Sequence, residues 1–243
     1  LRNMNYSLLT LSAVLVCGIG SCSAGIYKDV KGCTTEEVEK CGTEFVPYFS
    51  GQSLATDVGG LKQQCTKYLK ELRCSIDFTN KCLEGIAKGA VLLMLKAADE
   101  EYANVCNSTH PKQQQYLSNI GCLNKAGPAL STCMNDMFVS LHRTATKAPA
   151  RSQISYSCCY YLDYAKCADK ALDSKCGTAD GKKFFNDIVD HVFGEVLNLA
   201  CAKYTNDGGK ACKALPVLST KDDSLAKERG FIDPLAIIVS NLG

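Results

Sequence analysis

The chain is 243 residues long, with 16 cysteines, no tryptophan, and 27 basic residues against 25 acidic ones for a net charge of +2. That near-balance leaves no basic field for nucleic acid or an anionic membrane surface, which excludes both as electrostatic partners. Dense cysteine without any C-x-x-C pair, and with no histidine at ligand spacing from a thiol, reads as a disulfide framework and not as metal sites.

In chain order, an apolar run from Leu8 to Gly20 comes first, followed by the small residues Ser21, Ser23 and Ala24. Residues 1–24 read as a signal peptide cut after Ala24, too short for a bilayer span of about 20 residues. Met4 reads as the initiator, with Leu1-Arg2-Asn3 as read-through from upstream, although Asn5 stands where a lysine or arginine is usual. Setting Cys17 and Cys22 aside with that segment leaves an even fourteen of the 16 cysteines. Seven bridges in a secreted, extracellular protein follow from that count. No later apolar run approaches spanning length, the longest being Ala90 to Leu95, so no membrane span is expected.

Twelve cysteines fall into two sets. Cys33, Cys41, Cys65, Cys74, Cys82 and Cys106 are spaced 8, 24, 9, 8 and 24 apart, and Cys122, Cys133, Cys158, Cys167, Cys176 and Cys201 are spaced 11, 25, 9, 9 and 25 apart. The stretch Cys65 to Cys74 aligns with Cys158 to Cys167 in residues too, Tyr68-Leu69 matching Tyr161-Leu162, and Lys81-Cys82 matches Lys175-Cys176. A constant offset of this kind indicates a tandem repeat. Residues 25–110 are read as the first unit, 111–212 as the second, and 213–243 as a C-terminal tail.

The segments between cysteines carry helical periodicity. Thr34-x-x-Glu37 is a capping box predicting a helix through Cys41 toward Tyr48. Leu61, Cys65, Tyr68, Leu69 and Leu72 keep helical spacing after Gly59-Gly60, and a longer stripe runs from Leu83 to Val105. In the second unit Phe185, Ile188, Val189, Val192, Val196 and Leu199 repeat the pattern. Joints are expected at His110 to Gln115 and at Arg143 to Arg151, with a turn at Asn206 to Gly209. No stretch alternates as a strand would. The fold class is therefore all-α, two tandem disulfide-braced units of about three helices each. Nine residues are about 900° of helical turn, which sets Cys65 and Cys74, and likewise Cys158 and Cys167, on opposite sides of one helix. Each must reach a different neighbour. Six cysteines leave 15 connectivities open per unit. Cys159 and Cys212 have no counterparts in the first unit and are expected to bond each other. The apolar end from Phe231 to Val239 is expected to dock on the fold.

Catalytic chemistry is scarce. Cys158-Cys159-Tyr160-Tyr161-Leu162-Asp163 resembles the C-C-x-x-H-D of secreted phospholipases, but Leu162 stands at the histidine position and supplies no general base. His110, His142 and His191 lie far apart; His191 is flanked by Asp187 and Glu195 one turn away and reads as part of a solvated helix face. With every cysteine committed to a bridge, no catalytic thiol is left. No enzyme, cofactor or metal site is expected. Asn107-Ser108-Thr109 is a glycosylation acceptor at Asn107. The apolar stripes read first as filled core, with a lipid-enclosing interior as the alternative.

Cys65-x8-Cys74-x7-Cys82 before a helix ending in Val105-Cys106, with Cys158 to Cys201 and the Asn186 to Phe193 helix, resembles the 27 kDa haemolymph glycoprotein family of arthropods. Nematode secreted domains are a weaker match, and the doubled Cys158-Cys159 departs from the pattern. The resemblance implies a secreted glycoprotein of body fluid with no catalytic residues to carry over. The expected function is binding or interaction with an unknown protein or a small apolar ligand. Service as a carrier of such a ligand, or as a venom or salivary component, is the alternative.

Overall fold

The computed structural model describes residues 27–176, 179–206, 208–221, 223 and 232–241; the predicted signal peptide lies outside them. The described residues form seven α-helices and no strand: α1 (Thr35–Glu39), α2 (Val58–Cys82), α3 (Gly85–Cys106), α4 (Pro111–Lys147), α5 (Gln153–Lys175), α6 (Ala179–Thr205) and α7 (Ile232–Ser240). The all-α expectation holds.

The bridges set the architecture. In the first set Cys33 joins Cys82, Cys41 joins Cys74 and Cys65 joins Cys106. In the second, Cys122 joins Cys176, Cys133 joins Cys167 and Cys158 joins Cys201. Both therefore link first to fifth, second to fourth and third to sixth. The back-to-back thiols of α2 reach in opposite directions, Cys65 to the end of α3 and Cys74 to the loop after α1. Those of α5 do the same, Cys158 to α6 and Cys167 to α4. Cys159 bonds Cys212, as expected.

Several boundaries differ from the sequence reading. Thr34 caps α1 by accepting from the Glu37 amide at 3.3 Å, but the helix stops at Glu39 and does not continue toward Tyr48. Gly42 follows at φ +87°, where a β-carbon would lie 2.8 Å from the Glu71 side chain. Glu71 uses that close approach to accept from the Glu44 amide at 2.9 Å, so a tertiary contact overrides the local helix signal. Gly59-Gly60 lie inside the first turn of α2, because Asp57 accepts from the Gly60 amide at 2.9 Å and caps the helix ahead of them. The joint expected at 110–115 is only the turn before α4: Pro111 occupies the first helical turn, where its missing N–H costs nothing. At the far end α4 continues to Lys147, shortening the expected loop at 143–151. The stripe of α6 does not include Leu199, which is 90% exposed.

Between α1 and α2 the chain has no regular structure, and side chains from α4 hold it. Asn124 behaves like a strand edge: Oδ1 accepts from the Leu54 amide at 3.0 Å and Nδ2 donates to the Leu54 carbonyl at 2.7 Å. Tyr48, at φ 63°, is buried against Gly127, where a β-carbon would meet its ring at 3.0 Å. Gly127 thus gives the Tyr48 ring its seat.

The tail docks as predicted. α7 buries Ile232, Pro234, Ala236, Ile238 and Val239, and Tyr27 donates to Asp233 at its start. Arg143 grips Asp223 through both Nε and Nη2, at 3.1 and 2.5 Å, which holds that carboxyl below its ordinary pKa. Asn241 donates to Gln153 at 2.9 Å. Residues of α2, α3, α4, α5 and α7 contribute to one continuous apolar core.

Replacing Cys159 and Cys212 together by alanine is expected to leave a helical protein that is about 2–4 kcal/mol less stable. A denaturant titration followed by circular dichroism checks this.

Candidate ligand-binding cavity

The core is not filled. Between α2, α3, α4, α6 and the 45–54 segment lies a partly enclosed cavity of about 170 Å³, with α7 contributing Ile232 and Leu235. Its wall is largely hydrocarbon: Val91, Met94, Leu95 and Ala98 from α3 face Ile188, Val189, Val192 and Phe193 from α6. The filled-core expectation is corrected here. Every α6 residue named lines the cavity yet stays only partly buried.

Most polar groups on the wall are occupied in holding the fold. Tyr102 donates to the Phe45 carbonyl at 2.5 Å and Tyr116 to the Ala55 carbonyl at 2.8 Å. Gln64 accepts from the Ala55 amide at 2.7 Å. Burial raises the pKa of Tyr48, Tyr102 and Tyr116 above the ordinary value, so these hydroxyls remain protonated donors. They fasten the 45–55 segment over one side of the cavity.

The edge between α3 and α6 carries Glu101, the one charged wall residue among those described and only 5% exposed. Lys112 Nζ on α4 lies 2.5 Å from each carboxylate oxygen; it hydrogen-bonds Oε1, while Oε2 has the charge contact without a hydrogen bond. Nδ1 of His191 lies 2.5 Å from Oε1, and its Nε2 is 3.7 Å from Glu100. His191 therefore does not simply sit on a solvated face beside Asp187 and Glu195. Asp187 pairs with Lys183 at 2.6 Å, and the imidazole crosses to α3. Three helices are buttoned together at that carboxylate. No local signal marks a pair 90 residues apart.

No family model, curated protein or solved structure matches this chain. The reading of the site therefore rests on its own geometry. All fourteen cysteines from Cys33 to Cys212 are bridged, which leaves no free thiol among the described residues. Among the described residues no three His, Cys, Asp or Glu side chains converge as a metal site, and no helix is long and apolar enough to cross a membrane. Asn107 is exposed after α3, its Oδ1 accepting from the Thr109 amide at 3.1 Å and hydroxyl at 2.9 Å. The acceptor thus stands on an accessible turn.

Glu101→Ala removes the partner shared by Lys112 and His191. It is expected to cost about 1–3 kcal/mol, measured as a shift in the urea midpoint.

Proposed function

We propose that this protein is a secreted carrier of body fluid, glycosylated at Asn107, that holds a small apolar molecule in the cavity between α3 and α6. The observation that carries the reading is the hydrocarbon-walled void of about 170 Å³. A void of that volume costs about 4 kcal/mol when made by truncating core residues, and an occupant of matching shape restores the lost contacts. An apolar cavity near 150 Å³ stays dry and takes up benzene or xenon. Ligand sites are concave and mainly apolar in general, with few polar groups to fix orientation. Seven bridges support an oxidising, extracellular setting, and the likeness in cysteine pattern to haemolymph glycoproteins supports a body fluid. Binding is favoured over catalysis because Tyr102, Tyr116 and Gln64 on the wall are spent on the backbone of the 45–55 segment.

Cumene or another compact hydrocarbon, supplied near 100 times its Kd, is expected to raise the unfolding free energy by about 2.7 kcal/mol. Ala98→Phe, which fills the void, is expected to fold and to lose that response. Calorimetry on both proteins checks the reading, and a wild type unresponsive to every apolar compound overturns it.

A further inference from the structure

Two buried wall tyrosines remain: Tyr68, whose hydroxyl has the Gln52 side chain beside it, and Tyr164, which has no such neighbour. Tyr164, on α5, is 7% exposed and lines the cavity beside Tyr161, the ring centroids 6.2 Å apart. Its hydroxyl makes no hydrogen bond among the described residues, unlike Tyr48, Tyr102 and Tyr116, whose hydroxyls are bound to Asn124, Phe45 and Ala55. Nor is that oxygen among the buried polar atoms sealed from all open space. The residue as a whole is deeply buried and belongs to the cavity wall. Burial raises the Tyr164 pKa above the ordinary value, so the group stays protonated and offers a donor. A buried tyrosine hydroxyl ordinarily finds a partner, and leaving one without costs desolvation with nothing in return.

Charge narrows what the partner can be. Among the described residues no lysine, arginine or histidine lines the cavity, and the single charged one, Glu101, is acidic. An anionic head group would enter an apolar space with no counter-charge facing it, a heavy penalty. An ammonium head would find Glu101 already engaged by Lys112 and His191.

Resting on the carrier reading, we infer that the ligand is a neutral oxygenated hydrocarbon, a ketone, ester or ether, whose single oxygen accepts a hydrogen bond from Tyr164. Hydrocarbon fills the space between α3 and α6, and the hydroxyl of α5 fixes which way round the molecule sits.

Three near-isosteric probes separate the elements of this proposal by calorimetry: acetophenone, cumene and benzoate. In the wild type, acetophenone and cumene bind and benzoate does not. Tyr164→Phe keeps the ring and is expected to weaken acetophenone about tenfold, the worth of one hydrogen bond, while cumene binding holds or improves. Tyr116→Phe, whose hydroxyl is already bound to Ala55, leaves the acetophenone-to-cumene ratio unchanged. An undiminished ratio in Tyr164→Phe, an equal fall in Tyr116→Phe, or benzoate binding as tightly as acetophenone overturns the assignment while leaving the carrier reading in place. Failure of both acetophenone and cumene to bind the wild type defeats the carrier reading and this proposal together.

Discussion

The constraint on which the structure depends is that α2 and α5 each present two cysteines on opposite sides. Neither helix can satisfy both thiols with one neighbour, so each is clamped from two directions. Cys65 and Cys74 hold α3 and the loop after α1, while Cys158 and Cys167 hold α6 and α4. Closures of this length restrict the unfolded chain by about 3–4 kcal/mol each. A core braced in that way need not be filled to remain folded. The void beneath α6 follows from this: bridges set the helix spacing, where an unbridged bundle would collapse until its side chains met.

Where bridges are absent, polar side chains take over. No cysteine lies between Cys41 and Cys65, and the irregular chain there is held by Asn124, Glu71, Gln64, Tyr102 and Tyr116, each bonded to its backbone. Glu101 performs a similar service at the opposite edge, joining α3 to α4 and α6. The cavity is thus bounded by a polar-stitched loop on one side and a buried carboxylate on the other. Between them lies a wall on which the Tyr164 hydroxyl has no hydrogen-bond partner among the described residues.

The helical class, the back-to-back thiols, the Cys159–Cys212 bond and the docked C-terminal helix were all legible in the residues, because periodicity and spacing are local properties. The void was not. A stripe such as Ile188, Val192 and Val196 tells which side of α6 faces inward, and says nothing of the distance to the helix opposite. Pairing of His191 with Glu101 escaped for the same reason: its flanking Asp187 and Glu195 are near in sequence, whereas its partner comes from another helix. Capping at Thr34 was read correctly, yet the helix after it fell short because Glu71 competes for the backbone near Gly42. Nothing in the sequence singles out Tyr164, since only the contacts around its hydroxyl distinguish it from Tyr102 or Tyr116.

The order of the bridges also has a topological consequence. Within the first set the Cys65–Cys106 link crosses the two others, and the second set is woven alike, with Cys159–Cys212 extending it. A single peptide-bond cleavage anywhere from Cys33 to Cys106, or from Cys122 to Cys212, leaves the pieces covalently joined. Between Cys33 and Cys212 only the interval from Cys106 to Cys122 is spanned by no bridge, and there one cut would part the two bridged sets. Most of that interval is the first turns of α4, whose helical backbone resists a protease. The exposed part begins at Asn107, so a sugar chain there would shade the one place where the two bridged sets can be parted.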